Sequence, residues 1–259
     1  MRVIITGAAG QIGTQVTEEL SETHELCLID RSPVPCQKST VADLSKGHCR
    51  SRWKPWSEAI QHPRWMEAFK GADVVLHLVI DRRDTVPEQQ LLFNNIHANL
   101  NVIEAATRYR VPRIVFASSN WAVKALEREL APSCYMPDGP KIGSDAPPRP
   151  ITSYGMSKAL GEISGRMAVD TQQLDSFVAV RIGSYEPAPP EDEERQHRWI
   201  GTQDMRSLLR RCVESEFRGF HVIYGVSAQR TAPYDSSYTR ALLQWEPRQN
   251  SSLYPLVEG

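Results

Sequence analysis

A phenol and an ammonium four positions apart, Tyr154 and Lys158 in "SYGMSKALGE" (153–162), are the residues of this chain whose spacing points most directly to chemistry. On a helix, residues i and i+4 share a face, so the lysine charge would act on the phenol. Free tyrosine ionises at about pH 10, and a phenolate base at neutral pH needs roughly 4 kcal/mol of preferential stabilisation of the anion. A neighbouring cation can supply it. Spacing alone also allows a solvated surface stripe, so the surrounding elements must decide. In the helix that would carry the pair, Tyr154, Lys158, Gly161 and Gly165 share one face, and Met156, Leu160, Ile163 and Met167 the other. The small residues leave room for a cofactor, and the apolar face is expected to pack onto a sheet.

A second constellation lies at the start of the chain. "TGAAGQIG" sets Gly7, Gly10 and Gly13 in G-x-x-G-x-x-G spacing between a short β-branched run and a helical pattern. Residues without Cβ let backbone approach a pyrophosphate, and a helix N-terminus offers unpaired N–H groups, here those of Gly10, Gln11, Ile12 and Gly13. Asp30, about twenty residues on, ends the second apolar run, where a carboxylate accepts from an adenosine ribose diol and repels a 2′-phosphate. NAD is therefore expected over NADP, with Arg31 beside the same contact. Asp43 and Leu44 in "TVADL" (40–44) end a short third strand; Asp43 would meet the adenine amino group or serve as a plain turn carboxylate.

The elements that must position these groups are legible as alternation. Apolar runs at 2–6, 25–29, 73–79, 113–118, 176–182 and 220–225 are separated by stretches of helical period, clearest at 91–109. This predicts an α/β fold, a doubly wound parallel sheet of Rossmann type with a small C-terminal substrate-binding appendage. One domain, 1–259, is expected, with 1–182 and 219–226 as its core and 183–218 and 227–259 as the lobe. Two regions break the rhythm. Residues 45–65 carry Trp53, Trp56 and Trp65, for which local packing is favoured over base stacking. Residues 124–152 hold six prolines and predict a long loop of the kind that serves as a lid or substrate loop.

Composition excludes several classes. With 259 residues, 41% apolar and 24% charged, the chain has ordinary globular values and length for a sizeable core. The balance of 30 basic and 31 acidic side chains gives no general attraction to nucleic acid or an anionic membrane, and neither partner is expected. Cys27, Cys36, Cys49, Cys134 and Cys212 are odd in number and lack C-x-x-C spacing, against a disulfide framework and against a metal cage. The first apolar run has no basic-then-apolar leader before it, and "VVLHLVI" (74–80) is too short to span a bilayer; a cytoplasmic protein is expected.

Taken in order, "TGAAGQIG", "NNIHANLNVIEAA", "VFASSNW", "YGMSK" and "RIGS" resemble the extended short-chain dehydrogenase/reductase family over nearly the full length. Within it, "FASSN", "SYGMSK" and "RIGS" look like the uronate dehydrogenases and the related haloarchaeal NAD-dependent glucose-6-phosphate dehydrogenases, which oxidise the anomeric carbon of an aldose. The resemblance implies that Tyr154 is the general base, that Lys158 lowers its pKa and holds the nicotinamide ribose, and that Ser119 positions the substrate hydroxyl. Asn95 would support a proton relay, and Ile182 would lie against the cofactor. Ser119, Asn120 and Ser184 match the family's sugar contacts, whereas Trp121 stands where histidine is usual. In "EPAPPEDEERQHRW", Arg195 is preferred to Arg198 as the clamp on the sugar's acidic group. Asp81, in "HLVIDRRD" where relatives have a glycine-rich segment, would face the substrate.

The reaction implied is hydride transfer from C1 of a hexuronate to NAD, giving a lactone, with a sugar phosphate as the alternative substrate. Nucleotide-sugar epimerases and dehydratases share the first half of the pattern but usually carry a larger C-terminal lobe than the 77 residues from Gly183 to Gly259. A redox-sensing NAD binder without turnover is the alternative of a different class; such relatives tend to lose the Tyr/Lys pair kept here. A homo-oligomer paired through helices 91–109 and 153–169 is also implied.

Overall fold

A computed structural model of the protein describes residues 1–34, 37, 39–46 and 63–253. The chain runs β1 (Arg2–Thr6), α1 (Gln11–Ser21), β2 (Glu25–Asp30), β3 (Ser39–Val41), β4 (Val74–His77), α2 (Glu88–Arg108), β5 (Arg113–Ser119), α3 (Lys124–Leu130), α4 (Ser153–Asp170) and β6 (Ser176–Ile182). It continues through β7 (Ser184–Tyr185), α5 (Glu193–His197), β8 (Trp199–Ile200), α6 (Thr202–Glu214), β9 (Gly219–Gly225) and α7 (Ser237–Leu243). Seven strands form a parallel sheet in the order β3-β2-β1-β4-β5-β6-β9, and β7 pairs with β8 separately. This is the doubly wound Rossmann architecture. Its strand order reverses between β1 and β4, where such sheets open a ligand crevice at their carboxyl ends.

β4 and β6 are buried along their whole length, which is why they read as unbroken apolar runs rather than alternating ones. α2 starts behind Pro87 with Glu88 in its first turn and Arg108 in its last, charges that complement the helix dipole. α4 starts at a side-chain cap, with Thr152 Oγ1 accepting from the Gly155 N–H at 3.0 Å.

Two compact units divide the chain: Met1–Phe116, Ile163–Phe177 and Arg218–Phe220 form the first, and Ala117–Glu162, Val178–Phe217 and His221–Gly259 the second. The first is built on buried Val3, Ile4, Ile5, Val75 and Leu76, with the Phe116 and Phe177 rings 5.8 Å apart. In the second, Tyr224 and Tyr234 stack with centroids 4.6 Å apart in a cluster with Val123, Ile142 and Val226.

Two expectations are corrected. The apolar face of α4 does not pack inward: Met156, Ile163 and Met167 are exposed, while Ser157, Lys158, Ala159 and Glu162 are buried. Burial of these polar groups is compensated by hydrogen bonds, from Ser157 Oγ to the Tyr154 carbonyl at 2.8 Å, from Lys158 Nζ to the Ala117 carbonyl at 2.6 Å, and from Ser118 Oγ to Glu162 at 2.6 Å. The 124–152 stretch is not all loop, because "KALEREL" consists of strong helix formers and folds as α3 ahead of the prolines. The proline-rich remainder is held by backbone hydrogen bonds, from Ile142 N to the Pro233 carbonyl at 2.8 Å and from Arg149 N to the Ala122 carbonyl at 2.7 Å.

Trp65 is buried and its ring lies 5.8 Å from that of Phe69, a local packing role. Trp53, Trp56, Cys36 and Cys49 lie outside the described residues. Cys27, Cys134 and Cys212 are free thiols. Among the described residues no helix is long and apolar enough to cross a membrane.

Candidate active site

In the first unit the turn after β1 requires its glycines. Gly7 has φ +78°, and a Cβ on it would lie 2.9 Å from the Leu78 carbonyl carbon; one on Gly13 would fall 2.1 Å from the Gly7 oxygen. Gly10 precedes α1 with no side-chain cap, so the first N–H groups of that helix, at Gln11, Ile12 and Gly13, have no side chain closing them off. Close backbone, a bare helix N-terminus and no acidic residue in its first turn fit a pyrophosphate.

Gly7, Gly10, Asp30, Arg31, Asp43 and Leu44 line one cleft, together with Asp81 and Asn95. The Asp30 carboxylate is aimed by backbone, accepting from Ala9 N at 3.1 Å and Ser32 N at 2.9 Å. Asp43 closes a local turn, accepting from Ser45 N at 3.1 Å and Ser45 Oγ at 2.6 Å, while still lining the cleft. Asp81 is placed with these groups: Arg83 clasps its carboxylate through Nε at 2.8 Å and Nη2 at 2.6 Å, Asn94 donates at 2.9 Å, and Arg31 stands 3.6 Å away. The Arg83 hydrogen bonds hold the Asp81 carboxyl well below the usual carboxylate range. Asn95 grips the backbone of Asp81, accepting from its N–H at 2.7 Å and donating to its carbonyl at 3.2 Å.

The second unit brings together the other group. Ser119 ends β5, and its Oγ accepts from Trp121 N at 3.2 Å and donates to Asn120 Oδ1 at 3.2 Å. A Cβ on Gly155 would stand 2.4 Å from the Trp121 carbonyl oxygen, so glycine permits the first turn of α4 to abut this segment. Tyr154 is half-buried there; Lys158, buried, is anchored to the Ala117 carbonyl at 2.6 Å with Nζ 5.9 Å from the centre of the Tyr154 ring. Ile182 is buried at the end of β6, and Ser184 N donates to the Arg198 carbonyl at 2.8 Å.

Of the two candidate anion clamps, Arg195 is half exposed and paired with Glu186, whereas Arg198 is buried. Arg198 belongs to a cluster that sequence reasoning missed. Glu127, fully buried on α3, accepts at Oε1 from Lys124 Nζ and Arg198 Nη1, both at 2.7 Å, and from the Tyr135 hydroxyl at 2.8 Å. Its Oε2 accepts from the Tyr234 hydroxyl, which in turn accepts from Asn120 Nδ2 at 3.0 Å. The network thus runs from Ser119 through Asn120 and Tyr234 to a buried carboxylate. Locally it is signalled by the Lys124/Glu127 spacing on one helix turn and by the Glu194/Arg198 pair four residues apart.

The model of the NAD dependent epimerase/dehydratase family matches residues 3–202. The chain belongs to that family. Among members of this NAD dependent family, the NAD-dependent glucose-6-phosphate dehydrogenase of Haloferax volcanii is 31% identical, over 96% of this chain and 94% of that protein. The uronate dehydrogenase of Agrobacterium fabrum is 30% identical over 98% of this chain and 86% of that one. The solved structure of a mutant Agrobacterium tumefaciens uronate dehydrogenase complexed with NAD superposes with a TM-score of 0.76 at 29% identity, covering 98% of this chain and 86% of that one. The NAD dependent epimerase/dehydratase fold is therefore shared along practically the whole chain, both the glycine cradle and the Tyr154/Lys158 helix included.

Proposed function

We propose that the protein oxidises C1 of an acidic cyclic aldose, a hexuronate such as glucuronate or galacturonate, to the lactone. The observation that carries this reading is the placement of Lys158, pinned to the β5 backbone at 2.6 Å with its charge 5.9 Å from the Tyr154 ring. A fixed ammonium favours the phenolate. Tyr154 then takes the proton of the C1 hydroxyl while Ser119 and Asn120 orient it, and Ser184 contributes a further sugar contact. NAD, when bound, supplies the hydride acceptor; Gly7, Gly10, Gly13 and Asp30 would hold its pyrophosphate and adenosine ribose, with Asp43 and Leu44 near the adenine. The Haloferax relative supports glucose 6-phosphate as the second reading.

Mixing the protein and NAD with glucuronate, galacturonate or glucose 6-phosphate and following NADH absorbance tests the proposal. NADH from at least one of them is the expected result; measurable NAD binding with no NADH from any would leave a nucleotide sensor instead.

Asp30 carries the choice of dinucleotide in this reading. Asp30→Ala is expected to narrow the preference for NAD over NADP, compared as kcat/KM, by at least about tenfold, the worth of one lost repulsion with its hydrogen bonds. An unaltered ratio would move that discrimination elsewhere.

The exposed Met156, Ile163 and Met167 of α4 and Phe93 of α2 support a homo-oligomer closed over these faces. Ile163→Glu should convert it to monomer by size-exclusion chromatography with light scattering, and an unshifted mass would refute that interface. The free thiols Cys27, Cys134 and Cys212 suit a cytoplasmic location.

A further inference from the structure

The buried cluster around Glu127 has one more cation than Glu127 can neutralise. Lys124 and Arg198 are 5% and 6% exposed, and both share the single carboxylate of Glu127. The remaining positive charge is met by one atom of another residue: Glu194 Oε1 accepts from Lys124 Nζ at 2.8 Å and from Arg198 Nη1 at 2.5 Å. Glu194 is unlike the rest of the cluster, since its side chain is 51% exposed and sits on the five-residue α5. The guanidinium is also incompletely used. Its Nε is buried and meets no acceptor among the described residues, although a guanidinium offers its donors as a fork shaped for a planar oxyanion. The cluster joins the reacting end of the site through Asn120, and Lys124 Nζ lies 5.6 Å from the centre of the Trp121 ring.

We propose that Lys124 and Arg198 form the subsite for the acidic group of the sugar, carboxylate or phosphate, and that Glu194 is its resident occupant, displaced when the substrate binds. This rests on the acidic-aldose reading above. For a carboxylate the exchange is charge for charge, so the cluster stays neutral while Glu194 moves into water and keeps its own charge; a phosphate adds up to one further negative charge. The Lys124 hydrogen bond holds the Glu194 carboxyl down at about 2, so the competitor remains ionised at any working pH. A neutral aldose brings no charge with which to compete, and selection against it follows.

Removing the competitor tests this. Glu194→Gln keeps the shape and deletes the charge; KM for whichever of glucuronate, galacturonate or glucose 6-phosphate is turned over should fall by about tenfold, with kcat changed less than about twofold. Lys124→Gln should raise the same KM by about tenfold or more. An unchanged or higher KM in Glu194→Gln overturns the proposal, as does a rise in KM in Arg195→Gln alone, which would give the anion to Arg195. Should no aldose be oxidised, the dehydrogenase reading fails by itself, and calorimetric titration with glucuronate and with inorganic phosphate still decides the subsite. Binding that tightens in Glu194→Gln upholds it and shows which oxyanion fits; no binding of either to wild type or variant overturns it.

Discussion

Tyr154→Phe is expected to cut kcat by about two to four orders of magnitude while NAD affinity changes less than about threefold. The substitution removes one oxygen and leaves the ring. Lys158 does not depend on that oxygen for its position, because its ammonium is held by the Ala117 carbonyl at 2.6 Å. The glycine turn and Asp30 belong to a different set of elements, β1, α1 and β2, and the substitution touches none of them. What disappears, in the proposed reaction, is the group that accepts the C1 hydroxyl proton. Without it the proton must pass to water or to Ser119, whose oxygen is already engaged with Asn120 at 3.2 Å and is a far weaker base than a phenolate. Initial rates and a fluorescence titration with NADH separate the two quantities. A loss of kcat under about tenfold would mean that the proton leaves by another route.

The strands and the placement of Tyr154 beside Lys158 on one helix were legible because their signals are local. A parallel strand buried on both faces must be apolar throughout, a glycine turn between strand and helix has its own spacing, and Tyr154 and Lys158 lie one helical turn apart. The inverted face of α4 was not legible for the opposite reason. Hydrophobic periodicity assigns burial by polarity, yet here Lys158 and Glu162 go inside because Ala117, Ser118 and Arg181 wait there as partners, each distant in sequence. The Glu127 cluster shows the same limit more sharply: Glu127 meets Arg198 and Tyr234 across separations of 71 and 107 residues, which no window along the chain can register. Asp81 lines the cleft with Gly7 and Asp30, because the sheet puts the end of β4 beside the glycine turn after β1, a neighbourhood the local sequence around it does not announce.

Glu162→Met is expected to destabilise the fold by about 3–5 kcal/mol, lowering the thermal midpoint by roughly ten degrees. Glu162 and Arg181 have side chains 3% and 1% exposed and meet in a two-pronged pair, Nε to Oε1 at 3.0 Å and Nη2 to Oε2 at 2.9 Å. Taking the carboxylate away leaves a guanidinium inside whose remaining hydrogen-bond acceptors among the described residues are the Ala146 carbonyl at 3.0 Å and the Tyr224 hydroxyl at 3.2 Å, both neutral. Most of the loss is that uncompensated charge, not a missing contact. Adding Arg181→Met to Glu162→Met should therefore return part of the lost stability, since a pair of apolar side chains carries no charge to desolvate. Calorimetric melting of the two variants distinguishes the causes, and a double variant less stable than the single one would show that packing, not charge, sets the cost. The consequence reaches the chemistry through α4. Glu162 is one turn beyond Lys158 and two beyond Tyr154, so the pair that ties this helix to β6 also fixes where the phenol and ammonium stand.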